Sequence, residues 1–333
     1  MANPPRVSAV MPVFNAETTV ARAIASFRAQ TLEDWELIVW DDGSKDGSVD
    51  AAHSAAGGDP RIRVVEAPHT GIVAALQHAC AQSAAEYIAR MDADDVALPE
   101  RLAAQVALMD AIPELGLCGC QVRLAGEPGP GLRRYANWLN ALAAPEDIER
   151  DLFIECPAAH PAFFVRREAY HAAGGYQDHG WPEDYCLLMR IHKAGYQLAN
   201  VDAALLEWTH RPDRLSMNDP RYAEAAFRAL KRHYLREGPL KRHPAFHQWG
   251  AGEVGKRWLR EWGRHTPAAV VDINPRKIGR TIHGVPVVPP EDLPPPGHGY
   301  TLVAVGAPGA RAEIRAWFTQ RAYRELRDYR FIA

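Results

Sequence analysis

The chain has 333 residues, of which 47% are hydrophobic and 24% are charged, and its formal net charge is -3. These values are ordinary for a globular protein and leave room for two domains. No block of basic residues occurs, so nucleic acid is not expected as a partner. The five cysteines lack paired metal-ligand spacing, which favours reduced thiols and argues against a disulfide framework.

The sequence predicts a protein that stays on one side of the membrane. The first residues lack the apolar core of a signal peptide, and no apolar run approaches the length of a bilayer span. We therefore expect a cytoplasmic protein with at most peripheral contact with the inner face of a membrane. Any anionic substrate would be held by local basic groups or by a metal ion.

Strands and helices alternate through the first third of the chain. Short apolar runs predict buried strands, each followed by a turn and by apolar residues at helical spacing. The predicted strands cover residues 7–14, 36–40, 62–65 and 87–91. This alternation predicts an α/β fold with a parallel sheet, right-handed crossovers and a ligand site at the carboxyl ends of the strands.

Three carboxylates follow the fourth predicted strand within four residues: Asp92, Asp94 and Asp95. Pro99 marks the start of the next helix, so the acids lie in the turn between strand and helix. Like charges this close repel one another unless a cation neutralises them, and oxygen ligands favour Mg²⁺ or Mn²⁺ over zinc. The cluster predicts a metal site, although a solvated turn or helix cap uses the same residue types.

A second acidic pair, Asp41 and Asp42, ends the second predicted strand and precedes the sequence Gly-Ser-Lys-Asp-Gly-Ser. Because the carboxyl ends of parallel strands meet at one edge of a sheet, we expect both acidic loops in one cleft. The pair can accept hydrogen bonds from ribose hydroxyls or from a base N–H group, which suits a nucleotide. It can equally cap its own turn.

Three segments together resemble the family 2 glycosyltransferases, which have the GT-A fold. They are Val-Met-Pro-Val-Phe-Asn-Ala-Glu at 10–17, Trp-Asp-Asp-Gly-Ser-Lys-Asp-Gly-Ser at 40–48 and Tyr-Ile-Ala-Arg-Met-Asp-Ala-Asp-Asp at 87–95. Their order and spacing are those of the family. The resemblance implies a GT-A type domain with a Rossmann-like, mostly parallel sheet, and a nucleoside-diphosphate sugar donor, with a UDP-sugar favoured.

The same resemblance implies roles for individual residues. It puts Asp94 on the metal ion, Asp92 near the ribose and Asp42 near the base. The residues that it assigns to the nucleotide-sugar site are Pro12, Phe14, Glu17, Asp41, Asp42, Gly71, Asp92, Ala93, His160 and Glu183.

Two of these assignments have particular contexts in the sequence. His160 opens a predicted strand over residues 159–167, which lies next to the donor in the family, but a core histidine bonded to the backbone fits the same pattern. On the helix after Gly71, the pair Leu76-Gln77 replaces the Arg-Asn that family members often carry.

Two acids, Glu183 and Asp184, follow Pro182 and occupy the first turn of a predicted helix. The helix dipole favours carboxylates there whatever their function. The pair also resembles the Glu-Asp motif of family 2, in which the second acid is the general base, and this role is carried over to Asp184. Cys186 stands where many members have another Asp.

A His-to-Ser segment at 210–216 resembles a tail that closes over the donor in the family, and we predict His210 as a further metal ligand. A polar loop is the alternative. The predicted activity is inverting, metal-dependent sugar transfer from a nucleoside-diphosphate donor to a hydroxyl group of a glycan or lipid-linked acceptor, in cell-surface polysaccharide biosynthesis. Alternatives are a nucleotidyltransferase, whose usual Gly-rich basic loop is missing at 11–17, and an NAD-dependent sugar-modifying oxidoreductase acting through the C-terminal region.

The sequence predicts two domains. A GT-A glycosyltransferase domain covers residues 1–237, a linker marked by glycine and proline covers 238–246, and a small Rossmann-like domain covers 247–333. The last region resembles the small nucleotide-binding modules joined to some sugar-modifying enzymes.

A dinucleotide fingerprint opens this small domain. Gly250, Gly252 and Gly255 form the pattern Gly-x-Gly-x-x-Gly, and Asp272 follows Gly250 by 22 residues. If the module binds a second nucleotide, the phosphate lies on the N–H groups at 252–255 and Asp272 on a ribose. A Rossmann-like module used only for packing or oligomerisation is an equally open reading.

Overall fold

The computed structural model describes residues 4–211, 214 and 218–333. These residues form two compact units. The first unit comprises Met1–Ile148 and Pro157–Tyr222, and the second comprises Glu149–Cys156 and Ala223–Ala333.

The second unit begins earlier in the chain than the predicted small domain. The helix Glu224–Glu237, which the sequence assigns to the first domain, belongs to the second unit. Within the predicted linker, Pro239–Arg242 forms a short helix, since Pro239 has the fixed φ that suits a first helical position.

An eight-stranded sheet forms the centre of the first unit. Its strands are β1 Val7–Val13, β2 Trp35–Asp42, β3 Ile62–Ala67, β4 Tyr87–Arg90, β5 Val96–Ala97, β6 Leu115–Ala125, β7 Phe164–Arg166 and β8 Gln197–Thr209. Their order is β3-β2-β1-β4-β7-β6-β8-β5. Strands β1 to β4 and the pair β6 and β8 are parallel, whereas β7 runs antiparallel to both of its neighbours. The predicted α/β class with a mostly parallel sheet is confirmed.

Helices pack on this sheet through their apolar faces. In the first of them, Val20, Ile24 and Phe27 recur at helical spacing and are fully buried, and burial of each such side chain contributes roughly 1.5–3 kcal/mol. The helices that begin in this unit are Val20–Arg28, Ser48–Ala56, Ile72–Ala81, Arg101–Ala111, Pro130–Leu139, Pro145–Asp151, Arg167–Ala172 and Glu183–Lys193. Short 3-10 helices cover His160–Ala162 and Pro220–Tyr222.

The strand predicted over residues 159–167 is wrong in its first half. His160–Ala162 forms a 3-10 turn and only Phe164–Arg166 forms a strand. The reason is Pro161, which has no N–H group to donate to a sheet and a φ that suits a helical turn.

The register of the parallel strands brings several loops to one edge of the sheet. Val13 at the end of β1 pairs with Asp41 in β2, and Val10 pairs with Arg90 at the end of β4. The loops after β1, β2 and β4 therefore leave the sheet on the same side, as the carboxyl ends of parallel strands do. Asp41 and Asp42 are the last two residues of β2 and not part of the turn that follows.

The second unit contains a six-stranded sheet. Its strands are β9 His247–Trp249, β10 Val270–Val271, β11 Thr281–Ile282, β12 Val285–Val288, β13 Thr301–Val303 and β14 Tyr329–Phe331, in the order β11-β12-β10-β9-β13-β14. All pairs are parallel except β11 with β12. Without β11, the parallel strands follow the order 3-2-1-4-5, which is the arrangement of Rossmann-like sheets.

The helices that begin in the second unit are Glu224–Glu237, Pro239–Arg242, Glu253–Glu261 and Ala310–Gln320, with a 3-10 turn at Pro290–Asp292. Indole and phenyl rings fill its core, among them the fully buried Trp258, Trp262 and Phe318. Of the helices in the described residues, none combines the length and the apolar character needed to cross a membrane.

Candidate active site

The loops that follow β1 and β2 are joined by hydrogen bonds. The Glu17 carboxylate accepts a bond from the Gly47 N–H group at 2.8 Å, and the Glu17 N–H group donates to Asp46 at 3.2 Å. Three further bonds are Asn15 N–H to Ser44 Oγ at 2.9 Å, Lys45 N–H to Asn15 Oδ1 at 2.9 Å and Ala16 N–H to Ser48 Oγ at 2.7 Å. The Glu17 side chain thus holds the two loops together, and its contact with a donor stays a prediction.

Phe14 presents an aromatic ring to solvent at this edge. Its exposed fraction is 46%, and its ring stacks on His69 with centroids 4.3 Å apart. A single exposed apolar side chain is ordinary on a protein surface, but this ring lies just after β1, at the sheet edge where the loops after β1, β2 and β4 meet. Pro12 lies two residues earlier in β1, opposite Trp40 of β2, and is buried. Of these two predicted pocket residues, Phe14 is therefore the one open to a ligand.

The carboxylate of Asp42 is committed to a neighbouring turn. Its Oδ1 accepts bonds from the Thr70 N–H and hydroxyl groups at 2.8 and 3.0 Å, and its Oδ2 accepts from the Gly71 N–H group at 2.9 Å. His69 Nδ1 lies 2.8 Å from Oδ2. Gly71, with φ of 89°, adopts the left-handed conformation that glycine tolerates. Asp42 thus fixes the turn at 69–71, and its predicted contact with the base stays a prediction.

Asp41 has one carboxylate oxygen available. Its Oδ2 accepts bonds from the N–H groups of Gly43 and Ser44 at 3.1 and 3.0 Å. Its Oδ1 is buried and has no hydrogen-bond partner among the residues that the structure describes. A buried carboxylate oxygen without a partner is uncommon in proteins. The resemblance put Asp42 near the base, but residue type alone could not show that the Asp42 carboxylate is already bonded to the distant turn at 69–71.

Asp92, Asp94 and Asp95 converge as the sequence predicts. One carboxylate oxygen from each lies within 4.8 Å of the others. Burial, and next the charge of Asp92, raise the pKa of Asp94, and the same two causes raise the pKa of Asp95 well above its usual range. The Asp95 Oδ2 atom is buried without a hydrogen-bond partner in the described part of the chain. These hard oxygen donors and their mutual repulsion fit Mg²⁺ or Mn²⁺.

Asp92 and Asp95 are held by partners that fix the acidic turn. Arg90 and Arg214 lie against the Asp92 carboxylate, and although burial opposes them, they lower the pKa of Asp92. The Asp95 Oδ1 atom accepts a bond from the Thr209 N–H group at 2.8 Å, at the end of β8. Neither Arg90 nor Arg214 was predicted as a site residue from the sequence. Arg90 could have been noticed, because it is a charged residue at the end of an otherwise apolar strand.

His210 follows directly after β8. Its N–H group donates to the carbonyl of Ala125 at 3.0 Å. Among the described residues, the group of convergent ligands contains the three acids and no histidine, so a metal-ligand role for His210 stays a prediction. Of the predicted closing tail, residues 212–213 and 215–216 lie outside the described residues.

A buried polar network surrounds His160. Its Nε2 atom lies 2.8 Å from the Tyr176 hydroxyl, and its Nδ1 atom lies 3.6 Å from the Glu183 carboxylate. Burial, and then the charge of Arg90, lower the pKa of His160 well below 6.5, so its imidazole is neutral at physiological pH. The Gln77 side-chain amide also contacts this network, since it donates a hydrogen bond to the Tyr176 carbonyl at 2.8 Å. His160 therefore has the buried, bonded environment of a core histidine, and contact with the donor stays a prediction.

Glu183 and Asp184 begin the helix Glu183–Lys193, as predicted, but their environments differ. Glu183 is 1% exposed, burial raises its pKa, and the Tyr222 hydroxyl lies 2.7 Å from each of its carboxylate oxygens. Asp184 is half-buried, and its Oδ1 accepts a bond from the Tyr185 N–H group at 2.6 Å. The first acid thus anchors the helix, and the second is accessible.

Solved structures with the same architecture define the class of fold. The structure of S. aureus TarS 1-349 in complex with UDP-GlcNAc has a TM-score of 0.52 and 16% identity, and covers 70% of this chain and 66% of that chain. The mannosyltransferase PcManGT from Pyrobaculum calidifontis, in complex with GDP-Man and Mn²⁺, has a TM-score of 0.51 and 21% identity, and covers 70% of this chain and 63% of that chain. The first unit has the GT-A fold.

Sequence relatives supply the family. EpsE of Bacillus subtilis (strain 168), which is named as a glycosyltransferase, is 30% identical over 210 residues, covering 62% of this chain and 73% of that protein. The amylovoran biosynthesis glycosyltransferase AmsE of Erwinia amylovora is 29% identical over 203 residues, covering 60% of this chain and 74% of that protein. Residues 8–174 match the model of glycosyl transferase family 2, to which this chain belongs. The protein is thus a glycosyltransferase.

Proposed function

We propose that this glycosyltransferase moves a sugar from a nucleoside-diphosphate donor to a hydroxyl group of a glycan or lipid-linked acceptor, with inversion at the anomeric carbon. We further propose that transfer requires Mg²⁺ or Mn²⁺. The observation that carries this proposal is the convergence of Asp92, Asp94 and Asp95 within 4.8 Å. The carboxylates follow β4, at the sheet edge where β1 and β2 also end.

Support for the donor class comes from the same sheet edge. The exposed Phe14 ring offers a stacking surface for a planar base, and the unpaired Asp41 Oδ1 atom offers an acceptor for a base N–H or a ribose hydroxyl. The solved relatives in their complexes contain UDP-GlcNAc and GDP-Man. Both ligands are nucleoside-diphosphate sugars, and we extend that class, with a UDP-sugar favoured, to this chain.

Support for a metal ion comes from the separate surroundings of the three acids. Arg90 and Arg214 accompany Asp92, and Thr209 bonds to Asp95, so we assign Asp94 as the principal carboxylate for the ion. Asp94, with Asp92 or Asp95 beside it, would hold Mg²⁺ or Mn²⁺. When bound, such an ion supplies positive charge that offsets the negative charge gained by the departing diphosphate.

Asp184 is the proposed general base. A hydroxyl group is a poor nucleophile until a carboxylate within hydrogen-bond reach takes its proton as the new bond to the sugar carbon forms. Asp184 lies in the first turn of its helix, directly after the buried Glu183. Attack opposite the leaving diphosphate inverts the anomeric centre. The name of AmsE, which refers to amylovoran biosynthesis, supports a polysaccharide or its lipid-linked precursor as the acceptor.

The experiment that tests the proposal is a panel of UDP-, GDP- and dTDP-sugars with oligosaccharide and lipid-linked acceptors. Release of nucleoside diphosphate is measured with Mn²⁺, with Mg²⁺ and with EDTA, and the anomeric configuration of the product is read by NMR. We expect release with one donor, its loss in EDTA and its return with excess Mn²⁺. Full activity in EDTA would exclude the metal, and a retained configuration would exclude the direct displacement.

A further inference from the structure

A cavity of about 630 Å³ lies within the second unit. Its walls come from the segments after β9, β10 and β13, including Gly252, Asp272 and Gly306. Strands β9 and β13 are the first and fourth parallel strands of the sheet and are direct neighbours. The strand order therefore reverses between them, and a crevice at such a reversal is where open α/β sheets bind ligands. None of the residues proposed above for sugar transfer lines this cavity.

Two glycines of the fingerprint are required by the fold. Gly250 has φ of +116°, and a Cβ atom there would lie 2.5 Å from the Ala304 carbonyl oxygen. A Cβ atom on Gly255 would lie 1.9 Å from the Gly250 carbonyl oxygen. Any side chain at either position would therefore displace backbone. These two residues explain the close packing of β9, its loop and the helix Glu253–Glu261.

Gly252 has no such reason to be glycine. Its φ is -81°, which any residue adopts, and a Cβ atom there would meet no described atom within 4 Å. The residue lines the cavity. A missing side chain at this point opens the backbone to whatever occupies the cavity, which is the role of the second glycine in a diphosphate-binding loop.

The backbone beyond Gly252 offers hydrogen-bond donors. Gly252 is the N-cap of a nine-residue helix, and no side chain among the described residues caps that helix. The first N–H groups of a helix have no acceptor within it, and the helix dipole favours an anion there. The N–H groups at 253–255 thus suit a diphosphate bound in the open space beside Gly252.

Asp272 provides a matching acceptor at the end of β10. Its Oδ2 atom accepts bonds from the Ala251 N–H group and from Lys277 Nζ, both at 3.0 Å, and its Oδ1 atom accepts one from the Asn274 N–H group at 2.8 Å. A carboxylate oxygen has two lone pairs, so Oδ1 retains one acceptor position. That position suits a ribose hydroxyl. The next residue, Ile273, is 73% exposed and lines the cavity, as an apolar wall for a base would.

We propose that the second unit binds a nucleoside diphosphate in this cavity, with the diphosphate on the N–H groups at 253–255 and the ribose on Asp272. The charged side chains of the lining are Lys277, which pairs with Asp272 at 3.0 Å, and the carboxylates of Glu253, Asp272 and Glu313. A further phosphate on the ribose would meet Asp272, so the site discriminates against 2′-phosphorylated ligands. Both a dinucleotide and a nucleotide sugar contain the recognised group. The convergent acids among the described residues are Asp92, Asp94 and Asp95, none of which lines this cavity, so we expect binding without a divalent ion.

The test is a calorimetric titration of the full chain in EDTA with NADH, NADPH, ADP-ribose, UDP and UDP-GlcNAc. The same titrations on Asp94→Ala separate this site from the metal-dependent donor site. We expect one ligand per chain in both proteins, with NADPH at least tenfold weaker than NADH. Tighter binding of NADH than of ADP-ribose and UDP-GlcNAc identifies a dinucleotide, and tighter binding of ADP-ribose or UDP-GlcNAc than of NADH identifies a nucleotide sugar.

Gly252→Ala is the decisive variant, because its methyl group enters the diphosphate space without touching the rest of the fold. We expect it to weaken binding at least tenfold and to leave the unfolding temperature unchanged. Gly131→Ala is the matched control, since Gly131 is an exposed helical glycine whose Cβ atom would also meet nothing within 4 Å of described residues. Failure of all five ligands to bind at millimolar concentration, or equal binding by Gly252→Ala, would overturn the proposal. Sugar transfer by the same preparations reports on the proposed function separately.

Discussion

The Tyr222 hydroxyl group bridges both carboxylate oxygens of Glu183 at 2.7 Å. Because Glu183 is buried and directly precedes Asp184, this contact fixes the helix start that carries the proposed base. We expect Tyr222→Phe to lower kcat about tenfold, equivalent to ~1.4 kcal/mol, with the donor KM within about twofold of wild type, since positioning affects the transition state more than binding.

The control for this prediction is Tyr323→Phe, which removes a phenol bonded to the Pro294 carbonyl in the second unit. Initial rates and unfolding temperatures are measured for both variants. An unchanged kcat in Tyr222→Phe, or equal losses in the two variants, would show that Tyr222 does not position the base.

Asp184→Asn removes the proposed base while keeping the shape of the side chain. We expect kcat to fall by about 10²–10⁴, the usual contribution of a general base, and donor affinity to stay unchanged. Asp34→Asn, at an exposed position before β2, is the control for loss of one carboxylate. Single-turnover rates and donor titrations measure the two quantities. Turnover at the wild-type rate would assign proton removal to another group.

Asp94→Ala removes the carboxylate that we propose as the principal ligand of the ion. We expect loss of metal-stimulated transfer and at least a tenfold weaker apparent affinity for Mn²⁺, because a hard cation loses one of few anionic ligands. The measurement is the rate of nucleoside diphosphate release as a function of Mn²⁺ concentration. An unchanged Mn²⁺ dependence would remove Asp94 from the site.

Asp41→Asn and Asp42→Asn are expected to affect different properties, donor binding in the first case and folding stability in the second. Asp42 accepts bonds from Thr70 and Gly71, so an amide that turns N–H groups toward those donors should cost about 1–3 kcal/mol of folding free energy. The Asp41 Oδ1 atom has no partner within the described chain, so Asp41→Asn should leave stability nearly unchanged and weaken donor binding. Chemical denaturation and donor titration on both variants check this. The reverse pattern would contradict it.

Lys231 gives a pH dependence of stability. It is 6% exposed, its Nζ atom donates to the carbonyls of Ile154 and Ile332, and burial lowers its pKa to about 8 from 10.5. Between these values the unfolded chain holds a proton that the folded chain has lost, so the stability of the wild type rises with pH. Relative to Lys231→Met, we expect a gain of roughly 2 kcal/mol in the free energy of unfolding from about pH 7.5 to 9.5. Urea denaturation measures both free energies. If they changed with pH by the same amount in the wild type and in Lys231→Met, the pKa of Lys231 would be ordinary.

Local sequence patterns were enough to predict the sheet and the acidic turn. Short apolar runs, alternating with segments of helical spacing, identify β1 to β4. Asp92, Asp94 and Asp95 are neighbours in the chain, so their convergence follows from one turn. The antiparallel β7 between β4 and β6 did not follow from alternation, because its partners lie far along the chain. The 3-10 turn at His160–Ala162, just before β7, was not predicted either, because the favourable effect of Pro161 on a helical turn was missed.

The sequence could not show which carboxylate of each acidic pair is bonded to other parts of the protein. Asp41 and Asp42 have the same chemistry, and only the turn at 69–71 decides which carboxylate is occupied. Glu183 and Asp184 are likewise distinguished by Tyr222, a residue 39 positions away. Local composition carries no trace of such partners, because they are set by tertiary packing.

The bonds between the loops at 14–17 and 43–48 run in both directions and use both backbone and side-chain atoms. A substitution in either loop therefore changes the shape of the other. Engineering that randomises Asn15, Glu17 or Asp46 should yield inactive proteins more often than new donor preferences, because each of these side chains accepts a bond from a backbone N–H group of the opposite loop. Libraries that vary Lys45, which contributes only its backbone N–H group, should keep these bonds while the pocket is redesigned.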